Sequence, residues 1–255
     1  MARFQVIELI DQAWLPKTLR DGVTTYLEWI TDKLNMFQFS VPVIAKSLEK
    51  LGSHRIVDVC SGSGGPWRGL HSQVQNLAPE SQITLSDLYP STAAIEEFQG
   101  LGIKYDSTPR DACNMKLEGK LLRTQFFAFH HFSADLARKF LQDSVNCKHG
   151  ICVFDGSSKG RIPGVITFPL IFLTALLSSP FWRPFKWKSF LLCVFPIIPL
   201  ITTFDGVMSH LRFYSVAELK DLVCSIEGHE SYDWEILDVK TKAGWLTQLV
   251  GIPKA

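Results

Sequence analysis

Short apolar runs alternate with amphipathic stretches through the middle of the chain. These runs are rich in β-branched and aromatic residues, which predicts buried strands: RIVDVC, ITLSDLY, QFFAFHHF and GICVFDGSS. Between them, apolar residues recur at helical spacing, and Ser91 and Ser133 stand where helix N-caps are expected. The β-α-β alternation predicts an α/β fold with a doubly wound, mostly parallel sheet. Ligands of such sheets bind at the carboxyl ends of the strands.

The flanking regions follow other patterns. Between residues 4 and about 50, apolar side chains fall at helical spacing, beginning with Phe4 and continuing through Trp14, which predicts N-terminal helices. Near the other end, SVAELKDLVCSI predicts an amphipathic helix, and DWEILDVKTKAGWLTQLVGIP predicts two strands joined by a Gly-containing turn. We therefore expect four parts: a helical cap over 1–50, a ligand-binding core over 51–158, an apolar insertion over 159–204, and a segment over 205–255 that completes the sheet.

The insertion is almost purely apolar. No charge occurs in 162–182 or in 189–204, and Arg183, Lys186 and Lys188 lie between these two runs. The first run is long enough to span a bilayer. A spanning hairpin would have to carry the three cations across, however, and prolines interrupt both runs. The pattern favours short, broken helices at a membrane interface. A homodimer interface and a lid over an apolar tunnel are the alternatives.

Overall composition narrows the class of protein. The 255 residues carry 26 basic and 25 acidic side chains, a balance that argues against a nucleic-acid partner. Six cysteines occur without a CxxC pair, so we expect no metal site. The first residues lack the apolar segment of a signal peptide. We expect a reducing, cytoplasmic location, peripheral on the membrane if the insertion contacts lipid.

A glycine-rich turn follows the first predicted strand. DVCSGSGG places Asp58 at the strand end and Gly62, Gly64 and Gly65 in the turn. Small residues there let the backbone approach a ligand, and the next helix offers free N–H groups. A tight strand–helix connection is the plainer explanation of this motif alone. Asp87 ends the next strand, where a carboxylate can accept hydrogen bonds from both hydroxyls of a ribose.

Two further motifs, PRDACNM with Asp111 and AFHHF after the fourth predicted strand, complete a recognisable set. The set resembles the class I S-adenosylmethionine-dependent methyltransferases. A dinucleotide-binding Rossmann protein is less favoured, because its GxGxxG pattern would need glycine at Trp67. The resemblance implies a Rossmann-like sheet of seven strands with a reversed final hairpin, and S-adenosylmethionine as cofactor. It also implies the cofactor-binding residues: Asp58, Cys60, Ser61, Gly62, Ser63, Gly64, Asp87, Leu88, Asp111, Ala112 and Phe129.

Within that set the resemblance implies separate roles. The loop glycines would lie under the methionine part of the cofactor, Asp87 would bind the ribose with Leu88 against adenine, and Asp111 would accept from the adenine amine. Cys60 replaces the family's first loop glycine, so its backbone is expected to avoid the angles that are open only to glycine. The chain is also similar to a bacterial group of these enzymes whose acceptor is unassigned, through HHF, RPFKW and DGVMSHLRFY.

The histidine pair His130 and His131 is the candidate catalytic base. Histidine titrates near neutral pH, and both residues follow a strand at the ligand-binding edge. Because neighbours in an extended segment point to opposite sides, only one is expected to face the acceptor. Asp155 ends the next strand and is the third candidate. Local hydrogen bonding is the alternative explanation for all three residues. A strong base is not always required, since methyl transfer draws much of its rate from orientation.

Candidate substrate-binding residues lie further from the motifs. Trp67 follows the glycine turn and could wall a pocket. Trp14 and Tyr26 lie in the N-terminal region, which closes over the cofactor in related enzymes, although packing in a core explains them as well. Asp205 and Arg212 follow the apolar insertion, where they could bind a polar head group or form a surface salt bridge.

These observations predict a methyltransferase that acts on a hydrophobic or membrane-associated small molecule. The alternative is a membrane-surface binding or assembly protein built on a non-catalytic methyltransferase scaffold, which the unusual Cys60 suggests.

Overall fold

The computed structural model describes residues 3–160, 164–183 and 185–254. Within these ranges one sheet has the order β3-β2-β1-β4-β5-β7-β6. β7 is antiparallel to β5 and β6, and the other neighbours are parallel. The predicted sheet, including its reversed final hairpin, is confirmed. Its strands are β1 (Arg55–Val59), β2 (Gln82–Ser86), β3 (Lys104–Tyr105), β4 (Leu122–Phe126), β5 (Gly150–Gly156), β6 (Tyr232–Thr241) and β7 (Gly244–Pro253).

Helices surround this sheet and form the insertion. The predicted N-caps are confirmed, because the Oγ atoms of Ser91 and Ser133 accept hydrogen bonds from backbone N–H groups in the first turns of α4 and α5. The helices are α1 (Lys17–Lys33), α2 (Ser40–Leu51), α3 (Trp67–Leu77), α4 (Thr92–Gly100), α5 (Ala134–Asn146), α6 (Gly164–Ser178), α7 (Trp187–Val194), α8 (Ile197–Arg212) and α9 (Val216–Cys224).

The predicted helix that begins at Phe4 is wrong. The described chain before α1 is irregular apart from a 3₁₀ turn at Leu9–Asp11. Its backbone donors find distant partners: Phe4 N bonds the Leu211 carbonyl, and Asp205 accepts from the N–H groups of Leu9 and Ile10. Apolar spacing cannot reveal such partners, because they lie about 200 residues away in the sequence.

Three apolar clusters hold the helices in place. Two flank the sheet, one beside α2 to α4 and the other beside α5 and α9. The third joins α1 to the insertion through Tyr26, Trp182 and Ile198. A Cβ on Gly22 would lie 2.4 Å from Ile198 Cδ1, so α1 and α8 approach closely at that glycine. α1 therefore ties the insertion to the rest of the molecule.

The insertion forms three helices that pack on one another, with α8 beside both α6 and α7. α8 continues to Arg212, so the expected division at 204/205 falls inside a helix. In the described parts of the chain, no single helix has the length and apolar composition to cross a bilayer. Only α7 and α8 taken together have that length and composition, and they are bent by 78° relative to each other. The expectation of short, broken helices is met here.

Large apolar side chains remain exposed on these helices and on the loops between them. We call this set the insertion face: Phe168, Leu170, Leu173, Leu177, Phe181, Phe185, Trp187, Leu191, Val194, Phe195, Ile197, Leu200 and Phe204.

Candidate active site

An open cavity of about 340 Å³ lies at the carboxyl ends of β1, β2 and β4. The glycine turn, the β2 end and the β4 end form its sheet side, and α1 with the preceding turn covers it. The lining residues named in the sequence analysis are Asp58, Cys60, Ser61, Gly62, Ser63, Gly65, Asp87, Ser91 and His131. The apolar lining consists of Ile10, Ala13, Leu27, Phe37, Pro66, Phe126, Phe127, Ala128 and Phe132.

Asp58 anchors the glycine turn from inside the sheet. Its carboxylate is buried and accepts hydrogen bonds from Ser61 Oγ at 2.6 Å and Thr124 Oγ1 at 2.7 Å. Burial disfavours the charged form and raises the pKa of Asp58 to about 7, although the two hydroxyl donors oppose this shift. The turn is therefore fixed to both β1 and β4.

Cys60 adopts a left-handed backbone conformation. Its φ of 57° lies in the small region of positive φ that non-glycine residues can also occupy. The thiol accepts a hydrogen bond from Gln125 Nε2 at 3.4 Å and packs beside the core that α5 and α9 cover. A non-glycine residue occupies this region at a cost of about 1–2 kcal/mol, which such contacts offset. The turn therefore keeps its shape without its first glycine.

Asp87 closes the turn from the β2 end. Its Oδ2 accepts from Gly62 N at 2.8 Å, and its Oδ1 accepts from Tyr89 N at 2.8 Å. The Tyr105 hydroxyl donates to the Gly62 carbonyl at 2.7 Å. The carboxylate thus faces the cavity while the backbone of the turn holds it in place.

Gly64 stands apart from the cavity lining. Its φ is 113°, and a Cβ there would lie 1.9 Å from Phe98 Cε2. The structure therefore places this glycine against Phe98 of α4, because only a hydrogen atom fits between the turn and that ring. The position of Gly64 under the methionine part of the cofactor remains a prediction.

The adenine-side residues also lie outside the cavity lining. Leu88 is exposed, and its neighbour Tyr89 lines the cavity in its place. Asp111 Oδ1 accepts from Cys113 N, and the Ala112 carbonyl accepts from Arg123 Nη1. Phe129 packs against Phe132, Phe140 and Tyr214 in the core. Their role toward adenine remains a prediction.

The histidine pair lies in a 3₁₀ turn, Phe129–His131, and not in an extended segment. The two rings therefore lie 4.3 Å apart, centre to centre, at an angle of 36°. Only His131 lines the cavity. His130 is buried, and its ring Nδ1 lies 2.7 Å from Asp155 Oδ1. The backbone N–H of His130 donates to Asp155 Oδ2 at 2.7 Å. Asp155 thus orients His130 and does not reach the cavity lining.

His131 has a carboxylate partner that the sequence analysis did not assign. Its Nδ1 lies 2.7 Å from Asp11 Oδ1, and Asp11 also lines the cavity. Burial alone would lower the pKa of His131, but hydrogen bonding to Asp11 and the charges of Glu8 and Asp11 outweigh it and raise the pKa. Burial would raise the pKa of Asp11, but hydrogen bonds and charge from His131 and Arg212 lower it to about 2. No local pattern marks Asp11, because 120 residues separate it from His131.

Arg212 organises this group from the insertion side. Its guanidinium donates to the His130 and His131 carbonyls at 3.1 and 2.6 Å and to Asp11 Oδ2 at 2.7 Å. The side chain is buried, so it cannot bind an external head group in this arrangement. The sequence therefore marked an important residue, but the structure places it behind the histidines.

Glu8, His130 and His131 bring possible metal-ligand atoms within 4.8 Å of one another. The expectation of no metal rested on cysteine spacing and did not foresee this group. Arg212 Nη1 lies 3.2 Å from Glu8 Oε1, so a guanidinium already supplies the positive charge beside this carboxylate. We therefore assign no metal to the group.

The other candidate substrate-binding residues do not line the cavity. Trp14 is 68% exposed, beside the lining residue Ala13. Tyr26 is buried against Trp182, and its hydroxyl lies 2.6 Å from Thr174 Oγ1. Trp67 is fully buried against Phe126. Tyr26 and Trp67 are thus core residues, and Asp205 holds the N-terminal turn as described above.

The cavity contains a second charged group at α1. Glu28 lines it and binds Arg68, whose Nε lies 3.0 Å from Glu28 Oε1. Arg68 also binds Glu97. Burial raises the pKa of Glu28 to about 7, and the charge of Arg68 opposes that rise. The sequence offers no motif for this group.

Solved structures with similar folds are methyltransferases. The plantazolicin methyltransferase BpumL, in complex with SAH, is 12% identical with a TM-score of 0.61, and the alignment covers 96% of this chain and 94% of that one. NcsB1, an O-methyltransferase from neocarzinostatin biosynthesis in complex with SAH and 1,4-dihydroxy-2-naphthoic acid, is 12% identical with a TM-score of 0.52. Here the alignment covers 93% of this chain and 59% of that one. No protein-family model and no curated protein sequence matches.

The sheet order, the glycine turn and these neighbours identify the class of fold. The chain has the class I S-adenosylmethionine-dependent methyltransferase fold.

Proposed function

We propose that the protein is an S-adenosylmethionine-dependent methyltransferase that methylates a hydroxyl group of a hydrophobic small molecule. One observation carries the proposal: a single cavity joins the glycine turn and Asp87 to the His131–Asp11 pair. Cofactor and acceptor would therefore meet in one cavity. The hydroxyl acceptor is also consistent with the neighbour NcsB1, an O-methyltransferase.

The cofactor end of the cavity fits an adenosyl group. Gly62 lines the cavity with a φ of 53°, and a Cβ there would have no atom nearer than 3.9 Å, so the turn leaves room for a ligand. Asp87 presents a carboxylate to the same space and is the acceptor for the ribose hydroxyls. S-adenosylmethionine, when bound, would supply the activated methyl group.

His131 is the proposed base for the acceptor hydroxyl. With Nδ1 paired to Asp11, its other ring nitrogen is the atom that would take the proton. The Asp11 carboxylate stabilises the imidazolium that forms, and Arg212 holds Asp11 and the His131 backbone in register. His130 stabilises the 3₁₀ turn Phe129–His131 through its contact with Asp155.

The apolar lining favours a hydrophobic acceptor. Aromatic and aliphatic side chains face the cavity, including Phe37, Phe127 and Phe132, so an apolar ring or chain would gain free energy on leaving water. We propose further that such an acceptor is membrane-associated and that the insertion face contacts the membrane, because the insertion helices α7 and α8 pack on α1, which walls the cavity.

Titration calorimetry with S-adenosylmethionine and with SAH tests the cofactor proposal. We expect both to bind the wild-type chain. Asp87→Ala should weaken binding about tenfold or more, since hydrogen bonds to charged groups contribute about 1.5–3 kcal/mol. Asp135→Ala, an exposed carboxylate on α5, is the matched control and should bind as the wild type does. Asp111→Ala in the same titration tests the adenine-side role.

The outcome also separates the two candidate functions. If neither compound binds the wild-type chain, the enzyme proposal fails, and a membrane-surface protein on a non-catalytic scaffold becomes the better account. If both bind and Asp87→Ala binds equally well, the cofactor lies elsewhere and the proposed site is wrong.

A further inference from the structure

The insertion face combines exposed apolar side chains with cations and lacks acidic residues. Between Asp155 and Asp205 the sequence contains no Asp or Glu. Arg183 and Lys188 are exposed beside Phe181, Phe185 and Trp187. Such a surface cannot stay in water without cost, since clusters of exposed aromatic and aliphatic groups favour burial.

We infer that this face docks on the surface of a bilayer containing anionic phospholipids. Apolar side chains such as Phe181 and Phe195, 65% and 67% exposed, would enter the acyl boundary, while Arg183 and Lys188 meet lipid phosphates. Trp187, 59% exposed, has the amphipathic ring that favours the head-group level.

Charge selects the bilayer over a second copy of the chain. A symmetric dimer through this face would bring like cations together with no carboxylate from the insertion to neutralise them. An anionic lipid surface neutralises each cation and accepts the apolar groups at the same time. The bend of 78° between α7 and α8 suits helices that lie along an interface better than one that crosses it.

One helix, α1, contacts both the insertion and the proposed active site. α1 packs on α7 and α8, with Gly22 against Ile198 of α8, and Tyr26 of α1 packs against Trp182 between α6 and α7. Thr24 and Leu27 of the same helix line the cavity. Membrane docking would let a hydrophobic acceptor reach the cavity from the lipid side of α1, and this role for the docking rests on the proposed function.

Vesicle flotation tests the docking without cofactor or acceptor. We expect the full chain to float with vesicles of phosphatidylcholine and phosphatidylglycerol, to bind phosphatidylcholine alone more weakly, and to lose the difference in high salt. Arg183→Glu with Lys188→Glu should reduce partition into the anionic vesicles by about 25-fold or more, since each cation contributes about fivefold. Lys46→Glu with Lys50→Glu, exposed on α2, is the matched charge control.

The apolar half of the surface has its own variant. Phe181→Ser with Phe195→Ser should weaken binding to both kinds of vesicle by about a hundredfold or more, because burial of each aromatic side chain contributes about tenfold or more. Leu77→Ser with Leu136→Ser, exposed on α3 and α5, should bind as the wild type does.

Three results would overturn the inference. The wild-type chain could fail to float with either vesicle, or both insertion variants could float as well as the wild type. Sedimentation without lipid could instead show a dimer that Phe181→Ser with Phe195→Ser dissociates, which would assign the face to a second copy. Because S-adenosylmethionine is titrated without vesicles, failure here is distinct from failure of the proposed catalysis.

Discussion

His130 and His131 are neighbours in the chain with different surroundings. His130 is enclosed by the core and held by Asp155, whereas His131 borders the cavity and is held by Asp11. Residue type made both equal candidates for a base. Environment separates them, because proton transfer requires contact with the reacting group. Asp11 then completes the pair from a segment whose sequence pattern predicted a helix.

The pH dependence of methyl transfer tests this assignment once an acceptor is identified. A base must be neutral to accept a proton, so activity should rise with pH through the raised pKa of His131. His131→Gln should lower kcat by about a hundredfold or more. Asp11→Asn should lower the pKa and move the acidic limb of the profile to lower pH. His54→Gln, at the surface, is the control. If Asp11→Asn leaves the limb in place, His131 is not the base.

Stability should follow the same titration. The folded pKa of His131 lies above its unfolded value, so the native state binds the proton more tightly. The resulting stabilisation is present below the unfolded pKa and is lost as pH rises through the folded value. Asp11, with its pKa lowered to about 2, contributes in the opposite sense: its stabilisation is present above the ordinary Asp pKa and is lost as pH falls toward 2.

The turn between β1 and α3 uses its glycines for different purposes. Gly62 lines the cavity, while Gly64 allows the turn to approach Phe98. A motif alone could not separate these uses, because both glycines have positive φ and both fit the family pattern. The distinction depends on α4, which follows the turn in sequence by more than twenty residues.

Alanine at each glycine should therefore give different losses of stability. Gly64→Ala adds a Cβ that overlaps the fully buried Phe98, and we expect a loss of about 3 kcal/mol or more. Gly62→Ala makes only an ordinary contact with Thr24 Cγ2 at 3.9 Å and incurs only the left-handed penalty of about 1–2 kcal/mol. Thermal unfolding should show decreases in Tm of about 6–12 °C or more and about 2–8 °C respectively. Equal losses would contradict the proposed difference.

Across the whole molecule, the N-terminal segment connects parts that are distant in sequence. Arg3 donates to the His130 and Phe132 carbonyls and stacks 3.9 Å from the centre of the Tyr214 ring. Arg212 reaches the same region from the end of α8. The N-terminal segment that covers the cavity is thus held by contacts with the 3₁₀ turn Phe129–His131 and with the end of α8.

Removing Arg212 should loosen this cover. Arg212→Met leaves buried Glu8 and the Asp11 carboxylate without their cation, and breaking such a pair costs about 3–5 kcal/mol. Hydrogen exchange at the amides of residues 4–12 should quicken more than exchange in the β1–β5 core. Arg138→Met, in an exposed pair with Asp135, should change stability by about 0.5 kcal/mol or less. Unchanged exchange in residues 4–12 would show that Arg212 does not hold the cover.

Local pattern was sufficient to predict the sheet and the helices that connect its strands. Strand runs, helix caps and the final hairpin can be predicted from the sequence because each depends on periodicity or on neighbouring residues. The turn over 58–65, Asp87 and the histidine pair were also marked by local motifs that follow strands. The apolar insertion is visible in the sequence as a run without acidic residues, whereas the structure shows which of its side chains stay exposed.

Tertiary contacts alone decided which of these residues form the cavity. Asp11 meets His131 across 120 positions, and Arg212 meets Asp11 across 201, separations that no periodic pattern encodes. Trp67, Tyr26 and Gly64 face inward because each packs closely on a residue of another segment: Phe126 of β4, Trp182 between α6 and α7, and Phe98 of α4. Burial and partnership depend on the surfaces that distant segments present, so the chemistry of this site is a property of the folded chain.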